Sequence, residues 1–147
     1  MAALTTANST EYTKYAASGL SNLVTKLWGQ PLLSATGTYT VPADTLAATC
    51  KLNMCVVPKG ARVLAFIFQA DDNTAATTGT IEVGGTPATA TGAITDLSAG
   101  PVKLVIPALD TFSQTALTAD SVVSIQFASQ PVDAAVVITL TTLYVMD

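Results

Sequence analysis

Apolar and polar residues alternate with a period of two along much of this chain, the pattern of strands that bury one face. The clearest case is residues 135–146. Val136, Ile138, Leu140, Thr142, Tyr144 and Met146 point one way; Val137, Thr139, Thr141, Leu143 and Val145 point the other. Shorter runs read the same way at 33–41, 47–57, 79–85 and 102–106, and a weaker one near 112–117. After the turn at Asp120-Ser121, Val122, Ser124 and Gln126 oppose Val123, Ile125 and Phe127. In 47–57, Cys50, Leu52, Met54 and Val56 share one face, and Lys51, Asn53, Cys55 and Val57 the other.

One run breaks the alternation. In 61–69, Val63, Ala65 and Ile67 face one side while Leu64, Phe66 and Phe68 face the other. Apolar side chains on both faces predict a central strand buried on both. It is entered through Val57-Pro58-Lys59-Gly60, where Pro58 presets its own φ and Gly60 tolerates φ > 0. Residues 86–100 show no period, with Ile94 and Leu97 their only large apolar residues, and read as a long loop with a helical turn near 94–97. About eight strands, short turns and no βα alternation predict an all-β fold, an antiparallel β-sandwich or jelly roll.

Residues 1–30 stand apart as an N-terminal arm, leaving 31–147 for the sandwich domain. The first ten residues are mostly Ala, Thr, Asn and Ser, too polar to order by themselves. The expectation is that a neighbouring subunit holds the arm. Tyr12, Ala16, Leu20, Leu23 and Leu27 fall near helical spacing, which Gly19 interrupts, so a short helix and an extended strand are both allowed. Trp28 is the sole Trp and reads either as an anchor at the domain edge or as an interface hot spot.

Composition narrows the function. Hydrophobic residues make up 50% of the 147 and charged residues 11%, against about 25% charged in an ordinary globular domain. Few charges suit a surface packed into an assembly, and equally a Thr-rich all-β surface. The net charge is −4, with Arg62 and five Lys and no basic patch, which argues against a nucleic-acid partner. There is no run of 18 apolar residues and no basic stretch before Glu11. Neither a membrane span nor a signal peptide is therefore expected, and the protein is expected to be made and kept in a soluble compartment.

No catalytic constellation is visible. The chain has no His, so Ser–His and Cys–His pairs are ruled out. Asp44, Asp71, Asp72, Asp96, Asp110, Asp120 and Asp133 all fall in predicted turns, where Asp caps backbone groups. Glu82 lies within a strand and is expected to face solvent or pair with a Lys. Asp71-Asp72-Asn73 is the one oxygen-rich cluster, but no further ligand spacing supports calcium. Cys50 and Cys55 are five apart, which on one regular strand puts them on opposite faces as two buried free thiols. No enzyme activity, cofactor or metal is expected.

Three stretches carry a resemblance: Lys26-Leu27-Trp28-Gly29, Ala35-Thr36-Gly37-Thr38-Tyr39-Thr40-Val41, and Val57-Pro58-Lys59-Gly60-Ala61-Arg62-Val63-Leu64. With an Ile-x-Val-Gly strand at Ile81 and a last strand holding Tyr144, they resemble, in order, small structural proteins of tailed bacteriophages that act as head cement or decoration proteins. The likeness spans about residues 26–146 and is least at 86–100. It implies a β-sandwich or jelly roll, self-assembly often as a homotrimer, binding to the major capsid protein on the outer surface of the virion, and no catalytic residues. The arm residues Tyr12, Tyr15, Leu20, Leu23 and Trp28 are the expected partner contacts, being apolar groups outside the sandwich. The rival readings are a tail, neck or fibre component meeting a host glycan, a glycan-binding module or small enzyme, and a shell-forming capsid protein. The last usually has a basic arm, whereas residues 1–25 here hold one Lys14 and one Glu11.

Overall fold

The structure, a computed structural model, describes residues 6–9, 31–42, 49–70, 78–89, 103–105, 114–128 and 137–146. They form strands β1 (Thr6–Asn8), β2 (Leu33–Thr40), β3 (Lys51–Val57), β4 (Ala61–Ala70), β5 (Gly79–Val83), β6 (Thr86–Pro87), β7 (Lys103–Val105), β8 (Ser121–Phe127) and β9 (Val137–Met146). The strands make two sheets, ordered β1-β3-β8-β5-β6 and β2-β9-β4-β7. The predicted all-β sandwich is what forms. The helical turn predicted near 94–97 and the Asp71-Asp72-Asn73 cluster lie outside the described residues.

The pairing has a simple logic. β2 pairs with β9, β3 with β8, β4 with β7 and β5 with β6, all antiparallel. That is one long double ribbon, closed at its tip by the Gly84-Gly85 turn. Both glycines there have positive φ, +59° and +80°, the conformation a tight hairpin of this kind needs. The ribbon then rolls up, so that β9 also meets β4 and β8 also meets β5. Thr86 thus starts a short return strand rather than the loop the sequence suggested.

Between the sheets lies the core. Leu52, Ile81, Ile125 and Phe127 from one sheet meet Phe66, Phe68, Ile138, Leu140 and Tyr144 from the other. Each such side chain contributes about 1.5–3 kcal/mol when fully buried. The alternation predicted for β8 and β9 is observed: Val123, Ile125 and Phe127 face in, as do Ile138, Leu140, Thr142 and Tyr144.

Two β-bulges correct the expected faces. In β3 the register slips between Asn53 and Cys55, so Met54 is an extra residue opposite β8. Leu52 faces the core before the slip, and Cys55 and Val57 face it afterwards. Cys50 and Cys55 therefore do not lie on opposite faces; both are free thiols turned into the core, 0% and 2% exposed. In β4 the slip falls between Val63 and Ala65. Ala61 and Val63 face in before it, Phe66, Phe68 and Ala70 after it, and Leu64 is left 37% exposed. β4 does lie inside its sheet, between β9 and β7, but it is buried on one face only. The two-faced apolar run reflects a change of phase.

The turn between these strands forms as read. Gly60 has φ +87°, Ala61 N–H donates to Pro58 O at 3.2 Å, and Lys59 N–H donates to the Asp120 carboxylate at 2.8 Å. No strand covers 114–117. Leu117 instead exchanges two backbone hydrogen bonds with Gly60 and Ala61, each 2.8 Å.

The start of the arm is also placed. β1 adds parallel to the free edge of β3, so residues 6–9 are held by their own domain and need no neighbouring subunit. Ala7 and Ser9 are buried there.

At one edge of the sandwich the two sheets touch backbone to backbone. A Cβ built on Gly37 of β2 would overlap the carbonyl oxygen of Met54 and lie 2.9 Å from its Cα, where facing sheets ordinarily stand about 10 Å apart. Gly37→Ala is expected to cost at least about 1–3 kcal/mol, read as a fall of roughly 3–10 °C in the thermal midpoint. Ser34→Ala, on the outer face of the same strand, is expected to stay within about 0.5 kcal/mol of the parent.

Candidate functional site

The two outer faces of the sandwich differ in chemistry. On the five-stranded sheet, cross-strand neighbours form a polar row, Asn8–Asn53–Ser124–Glu82. Asn53 Nδ2 donates to Asn8 Oδ1 at 2.9 Å. Lys51 reaches diagonally across β8 to Glu82, Nζ to Oε2 2.6 Å, so Glu82 is paired with a Lys as its place in the strand predicted. Both partners remain partly in solvent, which limits the pair to less than about 1 kcal/mol. Ser124 lies between the strands that the pair joins. It is 1% exposed, and its Oγ has no hydrogen-bond partner. A shallow groove of about 440 Å³ opens beside it, lined in part by Lys51, Asn53, Gly85, Asp120 and Ser124.

The outer face of the four-stranded sheet carries almost no charge. Ser34, Thr36, Thr38 and Thr40 project from β2, and Thr139, Thr141, Leu143 and Val145 from β9. Thr36 and Thr141 hydroxyls meet at 2.9 Å, and those of Thr38 and Thr139 at 3.4 Å. Beyond them β4 presents Arg62, Leu64, Ala65, Ile67 and Gln69. Arg62 is the one ionised group among these side chains. Leu64 and Leu32, the latter just ahead of β2, are the exposed large hydrophobics among the described residues. A broad Thr and aliphatic surface sheds its water readily and suits a protein partner better than a small polar ligand.

The partner contacts expected from the sequence, Tyr12, Tyr15, Leu20, Leu23 and Trp28, all lie outside the described residues. The uncharged sheet face was not singled out from the sequence. Its signal was present: the outward positions of β2 and β9 are Thr, Ser, Leu and Val where a solvated sheet would alternate with Lys and Glu. Among the described residues no group of three or more His, Cys, Asp or Glu comes together in a way that could hold a metal ion.

Polar groups in the core carry a pH dependence. Burial pushes the Tyr144 hydroxyl above its ordinary value of 10.0, and Cys55 adds to the shift. Cys55 Sγ lies 3.5 Å from the Thr142 hydroxyl, in the opposite sheet. Burial likewise raises Cys50 above its ordinary 9.0, and Tyr39, whose shift Cys50 reinforces. All three groups are neutral when protonated, so the folded state holds their protons more tightly than the unfolded chain does. Their contribution is fully present below the unfolded values and is lost as pH rises through and above them. Unfolding free energy measured against pH is therefore expected to fall above about pH 9, and Tyr144→Phe to flatten the part of that fall above about pH 10. Ser124→Ala, which removes a buried hydroxyl with no partner, is expected to leave stability unchanged or raise it by about 1 kcal/mol in denaturant titration.

No protein family and no curated protein matches the sequence. Solved structures do share the fold, among them three phage capsids. A chain of the capsid of Ralstonia phage GP4 superposes with TM-score 0.64 at 22% identity, covering 89% of this chain and 94% of that one. A chain of the cyanophage Pam1 capsid asymmetric unit gives 0.61 at 19%, covering 88% and 96%. A chain of the acid-stable capsid of Helicobacter pylori bacteriophage KHP30 gives 0.52 at 16%, covering 80% and 90%. High coverage in both directions means that whole chain matches whole chain. What this protein shares with three phage capsids is a complete fold, with little sequence in common.

Proposed function

We propose that this chain is a non-enzymatic structural protein of a bacteriophage virion, a cement or decoration protein that binds the major capsid protein on the outer surface of the head and stabilises the shell. The observation that carries this reading is the end-to-end likeness to chains of three phage capsids. The rolled double ribbon supports it too, because β2-β9-β4-β7 over β3-β8-β5-β6 is the winding of a jelly roll, a fold recurrent in viral capsid domains. The small size, the arm without a basic run and the absence of His favour an accessory subunit over a genome-binding shell protein or an enzyme.

Cementing needs area and valency rather than chemistry. A standard patch buries about 800 Å² per partner, and three patches linked in a homotrimer add orders of magnitude in avidity without any new contact. The nearly uncharged outer face of the four-stranded sheet offers such an area. The arm residues Tyr12, Tyr15, Leu20, Leu23 and Trp28 add apolar anchors. Synthesis in the host cytoplasm, with no nucleic-acid or membrane partner, completes the reading.

Co-sedimentation with phage heads assembled without this chain tests the proposal. Saturable binding, and heads that survive heating better with the protein than without it, are expected; no binding to such heads overturns it. Replacing the five arm residues by Ser, with residues 1–9 intact so that β1 stays seated, is expected to weaken binding at least tenfold. Unchanged binding would remove the arm from the interface. Light scattering of the free protein is expected to give about three times 15.0 kDa.

A further inference from the structure

The strand against which β1 pairs is β3. Thr6, Ala7 and Asn8 lie opposite Lys51, Leu52 and Asn53. Ser9 N–H donates to Asn53 O at 2.8 Å, Ser9 Oγ–H donates to Met54 O, and Asn53 Nδ2 donates to Asn8 Oδ1 at 2.9 Å. Each of these partners belongs to β3, so the seat on any copy of the chain offers the same bonds to residues 6–9 of any other.

The connection to the rest of the chain is far longer than the gap it closes. Ser9 and Gly37 both lie against Met54. From Gly37 back to Leu33 is four residues of β2, about 13 Å along a strand. Residues 10–32 would span roughly 75 Å at full extension. The same tether that closes on its own β3 has the length to reach the β3 of an adjoining copy.

We propose that the free edge of β3 is a strand-exchange site, occupied by residues 6–9 of a second copy of this chain when copies are crowded together. Ala7 fills the same buried place and Asn8 and Ser9 make the same bonds to β3, so exchange keeps these contacts. The balance is then set by concentration and by the tether, the condition under which swapping an identical element is cheap. A tethered strand faces its own seat at an effective concentration on the order of 1 mM, and closely packed neighbours compete at that level. Exchange would link copies into a continuous network while leaving dilute protein closed on itself. It requires crowding and not the virion role, so it stands or falls separately from the function proposed above.

Cross-linking decides the matter. Asn8 and Asn53 face each other in the pairing, within reach of a disulfide. Asn8→Cys and Asn53→Cys are made in separate full-length chains, with the natural Cys50 and Cys55 buried and out of reach. The two proteins are mixed, concentrated to roughly 1 mM and oxidised. A disulfide-linked dimer whose cross-linked peptide joins positions 8 and 53 is expected, its fraction rising at least severalfold from dilute to concentrated samples. The double variant at low concentration is expected to close within one chain. A mixture that yields no such dimer while the double variant closes internally overturns the exchange. A double variant that closes in neither way overturns the seat itself.

Discussion

The pinch between Gly37 and Met54 is the contact on which the shape of this sandwich depends. Two sheets with side chains between them keep their distance. Here the interior is shut along one side by bringing β2 directly onto the backbone of β3, which only a residue without a Cβ permits. The extra residue of the β3 bulge, Met54, is the one that Gly37 meets. The same Met54 carbonyl receives the Ser9 hydroxyl, so closure of the sandwich and docking of β1 share one atom. After the bulge, Cys55 and Val57 continue the core that Cys50 and Leu52 began. The second bulge, in β4, does the same on the far side of the Pro58–Gly60 turn. The turn carries the chain from one sheet to the other, and the two changes of phase keep apolar side chains inward on both sides of it.

This arrangement separates what holds the protein together from what it can offer to others. Stability comes from a dry interior of Phe, Ile and Leu with a few polar groups, such as Thr142 and Tyr144, held between the sheets. The charged side chains that bridge strands sit on one face, where Lys51 spans β8 to reach Glu82. The opposite face is left to threonines and aliphatics, paired laterally through their own hydroxyls. A face with Arg62 as its one charge has little electrostatic steering to offer, and binding through it would rest on area and repetition. That is consistent with the mechanical role proposed for the chain.

Much of this was legible in the chain. Alternation located β2, β3, β5, β8 and β9, and Pro58 and Gly60 marked the turn, because those signals are local: a side chain every second residue, a fixed φ, a missing Cβ. The two cysteines are buried free thiols as read, but the face of Cys55 was misread and β4 was taken as doubly buried, because a bulge is invisible to a rule that assumes strict period two. A trace existed in β4, where the inward apolar positions pass from Ala61 and Val63 to Phe66 and Phe68, odd to even. Of the proposed site, the arm residues could be named as expected contacts because they are apolar groups outside the strand pattern. The nearly uncharged sheet face was not singled out, since its signal is split among Thr36, Thr141 and Ile67, which lie far apart in sequence and become one surface only when β2, β9 and β4 are side by side.

The sequence by itself determined the strand rhythm of a β protein and ruled out Ser–His and Cys–His pairs, because the two-residue period and the absence of His are properties of the chain alone. Which strands pair, where the sheets close and what each face presents were decided only by the tertiary structure. Those features depend on contacts between distant residues, Gly37 with Met54, Lys51 with Glu82, Ser9 with Met54. No local preference distinguishes such a contact from the many others the same residues could make.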